Sequence, residues 1–159
     1  MKSKIITTLA FVGLLGVFSV RAGETITLKL SDAKQTEGNK DHFGVRDDDG
    51  ALFFYSNGTG EWSVKVQSAG EYMLTVNASC ASSKNGNAKF KVTVEGKIVG
   101  KEVELTSDSS KDYTANVKLK EGANRVGIGF TNDEYKEGEY DRNLFIHRVS
   151  LEKKQGARD

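Results

Sequence analysis

Apolar and polar residues alternate along most of the chain. Apolar side chains fall at Ile26, Leu28 and Leu30, at Trp62, Val64 and Val66, at Tyr72, Leu74, Val76 and Ala78, and at Phe90, Val92 and Val94. The same period returns at Tyr113, Ala115, Val117 and Leu119, at Val126, Ile128 and Phe130, and at Phe145, His147, Val149 and Leu151, with Leu144 and Ile146 facing the other way. A repeat of two residues places one face of a strand on a core and the other in water. No window keeps a helical period equally well, so the pattern predicts at least seven strands. Their connections are short and carry turn residues, as at Ala69-Gly70, Glu95-Gly96 and Glu121-Gly122-Ala123. That spacing predicts an all-β fold, an antiparallel β-sandwich, with no internal repeat.

The first residues follow a different rule. Lys2 and Lys4 precede an apolar run from Ile5 to Val20, and Val20-Arg21-Ala22 follows it. The run is shorter than the ~20 residues that span a bilayer, and it has the form of an export signal cleaved after Ala22. The expected organisation is a signal peptide over 1–22, one sandwich domain over 23–152 and a polar tail over 153–159. The expected location is secreted or periplasmic, with no membrane attachment after cleavage.

Composition narrows the function. With Lys+Arg 23 against Asp+Glu 22, the net charge of +1 offers nucleic acid no global attraction. One cysteine, Cys80, and two histidines, His42 and His147, supply neither an internal disulfide nor a zinc cluster. Cys80 is expected as a buried thiol near a strand end. There is no proline, so turns fall to the 17 glycines and to Asn and Asp. No serine sits in a nucleophile-elbow motif and neither histidine has an evident nucleophile partner, so the chain is not expected to be an enzyme.

The segment from Asp133 to Asp141 holds five acids against one lysine, between two confidently patterned strands. Crowded carboxylates repel, and a hard cation such as calcium would relieve them with oxygen ligands. A solvated acidic hairpin tip fits the same charges. Asp47-Asp48-Asp49-Gly50 reads as a turn held by Asx hydrogen bonds rather than as a metal site. Trp62, in phase with Val64 and Val66, reads as core. Tyr135 and Tyr140 fall inside the acidic segment, either as exposed rings for stacking on a flat ligand such as a sugar or as anchors folded back on the sheet.

Arg125-Val126-Gly127-Ile128-Gly129-Phe130-Thr131-Asn132-Asp133, followed by Asp141-Arg142-Asn143-Leu144-Phe145-Ile146, resembles the C-terminal signature of the calcium-dependent xylan-binding carbohydrate-binding modules. Ser68-Ala69-Gly70-Glu71-Tyr72 and Val92-Thr93-Val94-Glu95-Gly96-Lys97 are similar to its flanking turn and strand. The resemblance implies a jelly-roll β-sandwich with a loop-bound calcium whose free positions ligate sugar hydroxyls. It implies Asp133 and Asp141 as carboxylate ligands and the Tyr140 carbonyl as a neutral one. Asn143 would bond the loop or the sugar, and Arg142 would pin a carboxylate bidentately. The chain departs from the family at His147, where an aspartate is usual, and at Lys29 to Ala33, which lacks the usual glutamate. The function so implied is a non-catalytic module for xylan or a related β-glycan, serving beside a separate glycan-degrading enzyme. The alternative is a calcium-stabilised structural or adhesive envelope protein that binds a protein partner.

Overall fold

A computed structural model describes residues 25–155. The expected signal peptide and the end of the polar tail lie outside them. In chain order the strands are β1 (Thr25–Leu28), β2 (Lys34–Gly38), β3 (Phe43–Val45), β4 (Leu52–Phe54), β5 (Gly58–Val66), β6 (Gly70–Ala81), β7 (Lys89–Val94), β8 (Lys97–Glu104), β9 (Lys111–Leu119), β10 (Gly122–Phe130), β11 (Glu134–Lys136) and β12 (Tyr140–Lys153). One sheet has the order β3-β4-β12-β6-β9, with β1 and β11 also paired to β12. The other has the order β2-β5-β10-β7-β8, and every pairing is antiparallel. The expected β-sandwich is the fold. The helical content described is two single turns, Leu30–Asp32 and Lys40–His42, and no described helix is long and apolar enough to cross a membrane.

The alternating residues meet between the sheets. Tyr72, Leu74, Val76, Ala78 and Cys80 of β6 face Trp62, Val64 and Val66 of β5, Phe90 and Val92 of β7, and Val126, Ile128 and Phe130 of β10 in one buried cluster. The polar ends of Trp62 and Tyr72 enter this core and find partners. Trp62, 2% exposed, donates its indole N–H to the Lys29 carbonyl at 2.9 Å, and the Tyr72 hydroxyl reaches the Ser68 carbonyl at 2.8 Å. Trp62 is core, as its phase indicates, and Cys80 is a buried thiol one residue from the end of β6.

β12 corrects the expected alternation. Leu144, Ile146, Val149 and Leu151 are all fully buried, on one face. The pairing with β6 runs from Ile146↔Ala78 to Arg148↔Asn77, leaving His147 as an extra residue. This bulge shifts the phase by one, so a strand that changes parity in sequence keeps one face inward in space. His147 points away from the core, with Nε2 2.8 Å from the Ser79 hydroxyl. β12 also runs one residue past the expected domain limit, and the Lys154 N–H donates to the Glu71 carbonyl at 2.9 Å.

The close approach of β2 to β5 has a requirement of its own. Gly38 has φ of 101°, and a Cβ placed there would stand 2.6 Å from the Asn57 carbonyl oxygen. Gly38→Ala therefore meets both a left-handed backbone and a main-chain collision, and should cost about 2–4 kcal/mol. A lowered urea midpoint with unchanged slope would register it; an unchanged midpoint would contradict the close approach.

Candidate functional site

The acidic segment is not an open loop. β11 folds back on the start of β12 with Glu134↔Arg142, Tyr135↔Asp141 and Lys136↔Tyr140 in register, around a turn containing Gly138 at φ 73°. Three of its five acids are not left to repel one another. Glu139 lies 2.7 Å from Lys84 and also pairs with Lys136, which hold its carboxyl below the usual range. Glu134 accepts hydrogen bonds from Ser83, Asn85 and Arg142, and its carboxyl is likewise lowered, the Ser83 contact contributing most. Glu137 is exposed in the turn.

Arg142 is buried beneath this hairpin, with 5% of its side chain exposed. Its Nε donates to the Gly86 carbonyl at 3.1 Å, Nη1 to the Asn132 carbonyl at 2.5 Å, and Nη2 to Ser83 and to Glu134 at 2.8 Å. It does pin a carboxylate, but through one nitrogen rather than the expected two-point fork; its other donors hold two loops. Tyr140 places its hydroxyl 3.4 Å from Glu134. The side chains of Arg142 and Tyr140 do not line the cleft described next.

What remains of the crowding is Asp133 and Asp141. Asp133 follows β10, and its N–H donates to Asn57 Oδ1 at 2.8 Å. The neighbouring Asn132 ties β10 to the strand beside it, accepting from Lys89 N at 2.6 Å and donating to the Asn87 carbonyl at 3.0 Å. Burial first, and then the charge of Asp141, push the Asp133 carboxyl above its usual range. Two oxygens here, Asp133 Oδ1 and Asn143 Oδ1, are buried and have no hydrogen-bond partner. Asn143, 7% exposed, uses its amide nitrogen on the Asp141 carbonyl at 3.4 Å. Buried polar atoms are ordinarily paired, so two orphans lining one cleft beside a like-charged pair constitute an unfilled electrostatic demand. Two carboxylates and an amide oxygen form a hard donor set that suits calcium. Among the described residues no three of His, Cys, Asp and Glu converge on one point, so an ion here would draw on the amide and backbone oxygens as well as the two carboxylates.

These oxygens open onto a cleft of about 1110 Å³. Its floor is aromatic: Phe53 stacks on Tyr55 with centroids 4.3 Å apart and planes at 23°, and Tyr55 meets Phe145 edge-on at 6.3 Å. Tyr135, 66% exposed, stands at the rim beside Asp133 and Asp141. A further wall is the turn after β3, where Arg46, Asp47 and Asp48 face the cleft, and His42, just ahead of β3, lines it near Asp133. That turn is built as its sequence indicates: Asp48 Oδ1 accepts from Asp49 N at 2.9 Å and Asp49 Oδ1 from Ala51 N at 3.0 Å. The structure thus brings together Asp133, Asp141, Asn143 and Tyr135 of the residues anticipated from sequence. It adds Phe53, Tyr55, Phe145 and the Arg46–Asp48 turn, which sequence reasoning missed. The order β3-β4-β12 juxtaposes them, and no local pattern encodes sheet order.

In fold the chain is similar to several solved carbohydrate-binding modules. The chain superposes on the CBM36-1 domain of a multidomain xylanase from the hindgut metagenome of Trinervitermes trinervoides with a TM-score of 0.63 and 16% identity, covering 86% of this chain and 100% of that one. It superposes on a CBM36 module in complex with calcium and xylotriose with a TM-score of 0.61 and 14% identity, covering 80% and 98%. A match to the Podospora anserina GH26-CBM35 β-(1,4)-mannanase has a TM-score of 0.59 and 17% identity, covering 87% of this chain but only 29% of the mannanase. No curated protein gives a significant match. The family profile for Ca-dependent, xylan-binding carbohydrate-binding modules matches residues 73–158, which include both ends of the acidic hairpin and the whole of β12. Since that match spans more than half of the sequence, the chain belongs to the CBM60 family of Ca-dependent, xylan-binding carbohydrate-binding modules.

Proposed function

We propose that this module binds xylan or a closely related β-linked polysaccharide in the aromatic-floored cleft, with calcium held by Asp133 and Asp141, and that it does so without catalysis. The observation that carries the reading is the pair of orphaned buried oxygens, Asp133 Oδ1 and Asn143 Oδ1, next to two mutually repelling carboxylates at the mouth of that cleft. Calcium bound there would supply open coordination positions that sugar hydroxyls can take in place of water. The chain's own residues do the rest: Asn57 and Asn132 fix the backbone that presents Asp133, Arg142 fixes the hairpin that presents Asp141, and Tyr55 and Phe145 offer the flat faces on which a pyranose stacks. The Tyr140 carbonyl and Tyr135 are assigned as a neutral ligand and a rim contact. That a CBM36 module of the same fold is in complex with calcium and xylotriose supports the reading of a calcium-assisted sugar site.

A non-catalytic role is supported by the commitment of three of the cleft's four carboxylates, Asp133 and Asp141 to the cation and Asp48 to Arg46, which leaves Asp47 without a second free carboxylate to form a catalytic pair. Export after removal of 1–22 and service beside a separate glycan-degrading enzyme complete the proposal. A purely structural or adhesive role would give calcium binding without sugar binding. Calorimetric titration with calcium and then with xylooligosaccharides decides between them: sugar binding that chelator abolishes is expected, and calcium binding with no sugar response would overturn the reading. Tyr55→Ala should weaken xylooligosaccharide binding about 3- to 10-fold, the value of one aromatic contact, while leaving calcium affinity unchanged.

A further inference from the structure

Arg46 lines the cleft, its guanidinium carbon 5.1 Å from the centroid of the Phe145 ring. A cation in such a place suggests an acidic sugar, but this one is already engaged. Its Nε and Nη2 donate to the two oxygens of Asp48 at 3.0 and 2.5 Å, and Asp49 Oδ1 lies 3.5 Å from Nε. The paired arrangement leaves Arg46 as a hydrogen-bond donor through Nη1, which has no partner among the described residues, rather than as a free positive charge. Asp47, next in sequence, also faces the cleft, is exposed, and has neither an ion pair nor a hydrogen bond among the described side chains. A divalent cation between Asp133 and Asp141 would cancel that pair and do nothing for Asp47. The Arg46 turn thus keeps an unpaired carboxylate, Asp47, on the lining of the cleft whose floor is aromatic.

We infer that this wall makes the cleft selective for neutral glycan chains over chains bearing uronate groups, with Asp47 as the specificity-determining residue and Asp48 as the positioning residue that keeps Arg46 over Phe145. The inference deepens the polysaccharide reading and rests on it. A neutral pyranose meets the apolar floor and the Nη1 donor without penalty. A sugar carboxylate in the same place meets Asp47 as a like charge, with Arg46 already neutralised by Asp48, and juxtaposed like charges are how interfaces reject wrong partners.

The test uses the calcium-loaded protein and three probes: a linear xylooligosaccharide, the same chain carrying a methylglucuronic acid branch, and that branched chain with its carboxyl group reduced to an alcohol. The last two have nearly the same shape and differ in charge, so steric exclusion of the branch cancels between them. At low salt the reduced chain should bind about 5- to 10-fold more tightly than the uronate chain, and the gap should narrow at high salt. Asp47→Asn, a change at an exposed position, should narrow it as well. Equal binding of the two branched probes, tighter binding of the uronate, or a gap untouched by Asp47→Asn would overturn the inference while the polysaccharide reading stood. Failure of the linear chain to bind in calcium would overturn both.

Discussion

Asp141→Ala and Asp133→Asn should each abolish the rise in melting temperature that calcium gives the wild-type protein and reduce xylan binding by about a hundredfold or more. At a hundredfold excess over its Kd, a ligand that binds only the folded state stabilises it by about 2.7 kcal/mol, and each variant deletes a charged oxygen from the set that would hold the ion. The sign reverses in chelator. Burial and the charge of Asp141 raise the Asp133 carboxyl above its ordinary range, so in the metal-free protein the ionised form of Asp133 opposes folding. That opposition is complete at neutral pH and fades as pH falls through the carboxylate range. Asp133→Asn should accordingly melt at or above the wild-type temperature in chelator while losing the response to calcium. A variant that loses stability equally with and without calcium would show that Asp133 serves the fold and not the ion.

The second large effect lies beneath the hairpin. Arg142→Met should destabilise the protein by about 3 kcal/mol and should weaken calcium binding too, although Arg142 does not face the cleft. Removing the guanidinium leaves the Asn132 carbonyl without its donor, the Gly86 carbonyl with the Ser83 N–H alone, and Glu134 with Ser83, Asn85 and Tyr140 alone. Asn132 precedes Asp133, so loosening one loosens the other. Arg142→Lys should recover little, because one ammonium cannot replace the planar fork that spans two loops and Glu134. Urea unfolding in chelator reports the first effect and a calcium titration the second. A variant with reduced stability and wild-type calcium affinity would show that the hairpin's support is separable from the site.

The long interior strands were legible because one of their faces is buried and the other is not. Trp62, Val64 and Val66 announce β5 in this way, and Tyr72 to Ala78 announce β6. β8 carries no such signal: most of it is exposed, with Ile98 at 63%, so its residues answer to water on both sides. β3, β4 and β11 have three residues each, too few for a period. In the site, the acids flanking the hairpin were visible as charge, and the resemblance singled out Asp133, Asp141 and Asn143. Charge alone could not say that Glu134 and Glu139 are neutralised by partners 55 or fewer positions away in sequence, Lys84 and Ser83 among them. Nor could it place the Arg46 turn, correctly read as an Asx turn, on the same cleft as the acids, since that depends on which strands become neighbours.

β12 lies between β6 on one edge and β4 and β1 on the other, and its registers join residues remote in the chain: Leu151 with Ile26 and Leu74, Ile146 with Leu52 and Ala78. Pairings of this kind close long loops before they return any contact energy, and they belong to the late part of a folding reaction. Asp141 and Asn143 ride on that strand and Asp133 lies just ahead of it. The oxygen set therefore does not exist until the sheet has closed, and an ion held there cannot guide the chain toward its structure. It acts on the finished molecule, slowing unfolding while leaving the folding rate alone. With calcium bound as proposed, the module would gain persistence rather than speed of assembly.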